Sequence, residues 1–364
     1  MEAKHNLTMS KAYEYFYDES NGEGDENEES GDSKIYTTVL TKNNERKQIP
    51  FVYSLGRRYH PVHEYNERKE YEESLFWWTY RYDFPEINCI STDAGWGCML
   101  RSAQMMLSQA LRIHFKSRHW KPDPSTSKAQ KDDFVASLMT WFADFPSRSE
   151  SVYSLHNMCA AGVAKYEVLP GDWCGPGTAC YVMRDLVAMH QQHQSNVFRV
   201  HVSSEGTVYN DLVFELMTKD AAKKIRTSQQ DEQDEQQEVA EPLHPLDPAI
   251  PEQSELDLTD LEWDTSLLLL IPHRLGRDYF NEKYVKSVAQ IFSLPQSVGI
   301  LGGRHRGARW FYGAYADGSK VLGKRNDIRH LDNIFSQCDR LISSRLLRRF
   351  VFYSLTLLTN SLTH

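Results

Sequence analysis

The sequence predicts an α+β fold with a central antiparallel sheet and flanking helices, and three observations carry that reading. Apolar residues at Met99, Leu100, Ala103, Met106, Leu107, Ala110 and Leu111 recur at helical spacing, so Met99 to Phe115 is a helix with a face on a core. Ser266 to Ile271 is a short, unbroken apolar run, as expected of a strand buried on both faces. Val298 to Leu301 and Arg309 to Ala316 read as strands, and Asp317-Gly318 is a hairpin turn leading into a further strand, Ser319 to Leu322.

The remaining elements follow in order. Glu19, Glu23, Asp25, Glu26, Glu28, Glu29 and Asp32 stand among Asn, Gly and Ser with no base between them. Such a composition builds no core, so residues 1–45 are expected to form an acidic, mostly disordered segment. Residues 46–323 are expected to form the folded domain. Within it, Thr178 to Gln191 is a helix carrying Tyr181, Val182, Leu186, Val187 and Met189, and Val197 to Val202 is a strand. Residues 227–260 are rich in Gln, Glu and Asp and carry Pro242, Pro245, Pro248 and Pro251, which predicts a disordered surface insertion. Asn281 to Phe292 is a helix. After Gly323 the composition turns to Arg, Ser and Leu, so residues 324–364 read as a divergent basic tail, either an alternative or truncated terminus or a divergent natural one.

Bulk properties exclude several function classes. The chain has 364 residues, and its 8 Trp, 19 Tyr and 16 Phe supply a sizeable core. A net charge of −9 argues against nucleic-acid binding. The cysteines at 89, 98, 159, 174, 180 and 338 make no Cys-x-x-Cys pair, so neither a zinc site nor a dithiol redox motif is expected, and no metal or other cofactor is implied. No apolar stretch near Met1 resembles a signal peptide, and the run from Phe350 to Leu358 is too short for a membrane span of about 20 residues. A reduced, cytoplasmic setting is the simplest expectation.

The chemistry centres on Ser91-Thr92-Asp93-Ala94-Gly95-Trp96-Gly97-Cys98-Met99-Leu100-Arg101-Ser102. Gly95 and Gly97 suit a tight turn, and Cys98 falls on the first turn of the predicted helix, where unpaired N–H groups and the helix dipole favour an anion. A thiolate there is a nucleophile. The alternative is a small buried cysteine that caps an ordinary core helix.

Other segments join this one in a specific order. They are Phe51 to Tyr59, Phe76-Trp77-Trp78-Thr79-Tyr80-Arg81, Gly171-Asp172-Trp173-Cys174-Gly175-Pro176, and Pro295 to Gly303. From about residue 50 to about residue 322 the set resembles the autophagins, the cysteine proteases that process GABARAP-type ubiquitin-like modifiers in autophagy. The resemblance implies a papain-like fold, with Phe51 to Tyr59 as its leading strand and Phe76 to Arg81 as the helix ahead of the nucleophile. It implies Cys98 as nucleophile and Tyr80 as a hydroxyl donor to the oxyanion. It also implies Trp173 as a groove tryptophan and Pro295 as part of a gating loop. The expected reaction is cleavage after the modifier's C-terminal glycine, and release of the modifier from phosphatidylethanolamine, with membrane contact only through the lipidated substrate.

The family's Asp-Pro-His motif is missing. Continued without gaps past Phe311-Tyr312-Gly313, the alignment places Gly323 and Arg325 at the acid and base positions. Asp327 and His330 lack the one-residue spacing that puts two side chains on one strand face. His273 and His305 read as structural or exposed. The same scaffold without acid and base would bind the modifier and cleave it poorly. Finally, Tyr36-Thr37-Thr38-Val39, downstream of the acidic run, has the pattern of peptides that add a strand to the edge of a GABARAP-type modifier, with Tyr36 and Val39 filling two pockets. A strand packed on the domain's own surface is the other reading of that segment.

Overall fold

The computed structural model describes residues 35–41, 45–122, 132–194, 196–203, 206–217, 266–275, 280–304, 306–324, 326, 342–343 and 351–359. Tyr36–Leu40 (β1) and Arg46–Pro50 (β2) pair antiparallel, with Tyr36 opposite Pro50 and Leu40 opposite Arg46. The limit expected at residue 45 therefore falls inside a hairpin. Residues 1–34 and the expected insertion at 227–260 lie outside the described residues.

Val52–Ser54 (β3) and Arg57–Tyr59 (β4) form a second hairpin. Leu55 and Gly56 turn it at φ of 46° and 88°, the left-handed pair that a two-residue hairpin requires. Helix α1 covers Tyr65–Glu73. The helix expected over Phe76 to Arg81 is not formed; the segment carries no regular secondary structure. Its backbone is satisfied from outside instead. Arg81 N donates to Asp93 Oδ1 at 2.7 Å, and Tyr80 N donates to the Asn326 carbonyl at 2.9 Å.

The predicted central helix is α2, Cys98–Phe115. It is buried on every side, not on one face alone, from Cys98 to Ile113. Its polar residues are answered inside the core. Trp78 Nε1 donates to Ser108 Oγ at 2.6 Å, and Gln104 Nε2 donates to the Tyr153 carbonyl at 2.7 Å. Asp133–Trp141 (α3), Leu155–Tyr166 (α4) and Pro176–His193 (α5) follow. Pro176 begins α5 at a position that has no use for an N–H. Arg199–Val202 (β5), Asn210–Met217 (α6) and Leu267–Pro272 (β6) come next, with β5 parallel to β6. The helix expected from Asn281 is a 3₁₀ turn, Glu282–Tyr284, running into Val285–Ile291 (α7), with Asn281 Oδ1 capping Lys283 N at 3.1 Å.

Ser297–Arg304 (β7), Gly307–Tyr315 (β8), Lys320–Lys324 (β9), Ile342–Ser343 (β10) and Val351–Thr359 (β11) complete the described chain. The main sheet runs β10-β9-β8-β7-β11-β6-β5, and β3 also pairs with β8. Helix α2 packs on β7 and β8, and α5 packs on β5, β6 and β11. The sheet separates two apolar clusters, one around α2 with Trp310, Tyr312 and Leu322, the other around α7 with Ile300, Phe311 and Val321. The expected domain limit at residue 323 is not a limit of the sheet, because β11, in the segment expected as a tail, lies between β7 and β6. Val351 to Thr359 is rich in aromatic, β-branched and leucine residues, a composition that fits a central strand.

Candidate active site

Cys98 is the first residue of α2 and is 1% exposed. The turn ahead of it is built around Asp93, whose carbonyl accepts from Trp96 N at 3.3 Å and Gly97 N at 2.9 Å. Trp96 Nε1 closes back on the Thr92 carbonyl at 2.9 Å. A Cβ on residue 97 would lie 2.6 Å from Asp93 Oδ2, so only glycine lets the carboxylate pass beneath the turn that ends at Cys98.

Burial pushes the Cys98 thiol up from its ordinary value; hydrogen bonds from the Ala308 backbone, the Tyr80 hydroxyl and the Met99 and Cys98 amides pull it down. Burial wins, and the thiol stays above the usual range. The same donors would hold a thiolate or an oxyanion once charge appears. Tyr80, expected from resemblance to serve Cys98, is brought to it.

Trp173 lies in the loop before α5 and packs against the main core. Its neighbour Cys174 is close enough to Cys98 for the two thiols to interact electrostatically, and burial drives the Cys174 thiol up to about 12. A small cavity between this loop and the nucleophile turn is lined by Trp96, Leu100, Cys159, Asp172 and Cys174. Pro295 is not brought to Cys98. It is exposed between α7 and β7, against the Leu55–Gly56 turn, where a Cβ on Gly56 would meet Pro295 Cα at 2.8 Å. The opposite end of β7, paired through Gly303 to Ala308, is the end that reaches Cys98. Six residues of strand separate the two ends by roughly 20 Å. Tyr36 and Val39 sit on β1, with Val39 8% exposed.

The acid and base positions read by ungapped alignment do not converge on Cys98. A Cβ on Gly323 would lie 2.8 Å from Phe311 Cδ1, in the cluster on the far side of the sheet. Arg325, Asp327, His330 and His305 lie outside the described residues. At the end of β9 the side chain directed toward the α2 side, as Leu322 is, belongs to Lys324, whose Nζ donates to the Leu75 carbonyl at 2.8 Å. Asn326 follows it there, 2% exposed, donating to the Trp78 carbonyl at 3.1 Å. Three buried or half-buried histidines are bonded elsewhere: His114 to Ser266 and Asn196, His156 to Pro85, and His190 to Tyr153 and Gln194. His273 is exposed. Among the described residues no group of three His, Cys, Asp or Glu could hold a metal ion, and no helix is long and apolar enough to cross a membrane.

An ion network missed by sequence reasoning lies directly behind the site. Arg101, fully buried, donates from Nε to Asp93 Oδ2 at 2.8 Å and grips Asp144 with both terminal nitrogens at 3.0 Å. Arg81 reaches Asp144 at 3.5 Å. The available signal was an arginine near the start of an apolar helical run, eight residues after an aspartate; a charge there needs a buried partner.

Comparison with known proteins decides the family. The Peptidase C54 catalytic domain matches residues 65–323. The chain belongs to the peptidase C54 family. It is 31% identical over 268 residues to the cysteine protease ATG4B of Xenopus laevis, covering 73% of this chain and 62% of that protein. It is 31% identical over 264 residues to the cysteine protease ATG4A of Gallus gallus, covering 72% of this chain and 63% of the relative. This C54 chain thus spans a little under two thirds of the length of those relatives.

Proposed function

We propose that this chain is a cysteine protease that acts on a GABARAP-type ubiquitin-like modifier in the cytoplasm. It would cleave the precursor after its C-terminal glycine and free the modifier from phosphatidylethanolamine in support of autophagosome formation. The observation that carries the reading is Cys98 at the start of a buried helix, with the Tyr80 hydroxyl and main-chain amides on its sulfur. In this chemistry Sγ attacks the glycine carbonyl, the oxyanion is met by the Cys98 N–H and Tyr80 hydroxyl, and the amine leaves with a proton to give a thioester that water hydrolyses. Trp173, beside the Cys174 thiol that senses Cys98, borders the channel through which the glycine would enter.

The leaving group needs a proton, and the Asp and His that would hold and deliver it fall at Gly323 and Arg325. That observation, with Gly323 turned onto Phe311, favours a second reading in which the scaffold binds the modifier and turns it over slowly. Loss of triad members costs about 10⁴–10⁶ in rate in the best-studied cases. Incubating the full chain with modifier precursor separates the two. Product ending in glycine, absent with Cys98→Ala, supports the protease. Retained binding by wild type and Cys98→Ala, without product, supports the binding module. No binding and no cleavage would overturn both.

A further inference from the structure

Tyr80 lies on a stretch with no regular secondary structure, yet its hydroxyl must meet a sulfur fixed to the first turn of a helix. Something has to register the two segments. Asn326 ties the Tyr80 stretch to the body of α2, accepting from Tyr80 N at 2.9 Å and from Ser102 Oγ at 3.4 Å, but the bonds from that stretch to the turn that delivers Cys98 centre on Asp93. Asp93 Oδ1 accepts from Arg81 N, next in chain to Tyr80, at 2.7 Å, and Asp93 N returns to the Arg81 carbonyl at 3.4 Å. The Asp93 carbonyl accepts from Trp96 N and Gly97 N, the latter adjoining Cys98. Its Oδ2 passes beneath Gly97 to Arg101 Nε at 2.8 Å, one helical turn past the nucleophile. Asp93 is thus bonded within one residue of the donor, within one residue of the nucleophile, and to the helix that carries the nucleophile. It is fully buried, so water does not compete for its oxygens.

We propose that Asp93 is a positioning residue that sets the Tyr80 hydroxyl against Cys98, with the buried guanidinium of Arg101 holding Asp93 in that register. Thr92 assists from the rim, with Oγ1 donating to the Arg81 carbonyl at 3.0 Å. Asp144 binds the same guanidinium from the other side and supplies counter-charge rather than register. Two carboxylates on one arginine therefore have different duties. The inference rests on reading Cys98 and Tyr80 as nucleophile and donor. Its test needs neither turnover nor modifier, so it can fail while the proposed function stands.

The readout is the pH dependence of Cys98 alkylation by iodoacetamide in the full chain, followed on the Cys98 peptide by mass spectrometry. Tyr80→Phe removes a donor to the thiolate and should raise the midpoint, slowing alkylation at neutral pH by about threefold to tenfold. Asp93→Asn should move the midpoint in the same direction. The double variant should move it no further than Tyr80→Phe alone, since the aspartate acts through the tyrosine. Asp144→Asn should lower the melting temperature and leave the midpoint in place. Additive shifts in the double variant, an unmoved midpoint in Asp93→Asn, or an equal shift from Asp144→Asn would each overturn the proposal. If Asp93→Asn does not fold, Thr92→Val loosens the same joint from the surface. Its smaller rise should vanish in the Tyr80→Phe background, and a rise that persists there, or no rise at all, counts against the proposal.

Discussion

Burial of the Cys98 thiol disfavours its charged form, and the Ala308 amide, the Tyr80 hydroxyl and the first amides of α2 oppose that effect without overcoming it. Cys159 and Cys174 have been pushed up to about 12, burial being the largest cause for each, whereas Cys89 is exposed. A small alkylating reagent at mildly alkaline pH should therefore label Cys89 by access, then Cys98, and reach Cys159 and Cys174 last. A modifier carrying a C-terminal electrophile should label Cys98 alone, because recognition rather than exposure then selects the thiol. Peptide mapping after each reagent checks both orders, and modifier-probe labelling at Cys89 would contradict the assignment of Cys98. The same raised values fix the sign of a stability effect. The folded chain holds the Cys159 and Cys174 protons to about pH 12, while the unfolded chain releases them near 9. Their contribution is complete below pH 9 and is lost as pH climbs toward 12. Cys174→Ala should flatten the fall of melting temperature over that window.

At the scale of elements, the first hairpin illustrates how local chemistry limits a motif. β1 is tied to the chain after β4 by Thr37 Oγ1 and His60 Nε2 at 3.1 Å. His60 Nδ1 accepts from Val62 N at 3.2 Å and His63 N at 3.0 Å, which assigns the proton to Nε2 and a neutral ring. Burial and the neighbouring His63 hold His60 below its ordinary value, and Glu64 only partly offsets them. A histidine lowered on folding gives stability that is present above pH 6.5 and lost as pH falls through its folded value. Protection of the Thr37 to Leu40 amides, taken relative to their intrinsic exchange rate at each pH, should therefore fall as pH drops below 6.5 through the folded value of His60, and His60→Ala should remove that dependence. With Val39 turned inward, a peptide of residues 30–42 should bind the modifier more tightly than the same segment within the folded chain, and Tyr36→Ala with Val39→Ala should abolish the peptide's binding. Strand β9 sets a second limit. Gly323→Asp forces a side chain onto Phe311, so it should lower the melting temperature, and adding Arg325→His should not bring precursor cleavage. A gain of cleavage in that pair would show that β9 shifts its register. The elements that could be read from sequence were those whose signals are local. The long apolar period of α2, the apolar set of α5 from Tyr181 to Met189, and the Asp317-Gly318 turn all state themselves within a few residues. Cys98 at the start of α2, and Tyr80 brought against it, were legible through the motifs that bear them. Asp93 and Arg101 stood in the same motif without being singled out, because their roles exist only once Asp144 and the Arg81 backbone are folded against them.

The architecture of the whole molecule depends on a pairing that no local signal could announce. β11 lies between β7 and β6, antiparallel to both, with Leu355 opposite Ile300 on one side and Ile271 on the other. Its partners are 48 or more residues away in the sequence, and composition marks it only as β-prone; the vacancy between β6 and β7 decides its place. β6 and β5 join the rest of the sheet through this strand, while α5, packed on both, and His114 of α2, bonded to Ser266 and Asn196 at their starts, tie them to α2. Ending the chain at residue 343 should therefore divide the molecule unequally. The half formed by α2, β7, β8 and β9 keeps its pairing and its main core cluster, so Cys98 should retain its alkylation profile. β6 loses one of its two neighbours along Leu267 to Pro272, and the free edges of β6 and β7 become templates for pairing with other copies. Amide exchange by mass spectrometry should show protection falling selectively across β5 and β6 and persisting in β8, and the truncated chain should self-associate on concentration. Uniform loss of protection would make β11 necessary to the entire fold. Unchanged protection of β6 would mean that residues 351–359 do not hold the central position, and that the segment after residue 343 is dispensable to the sheet.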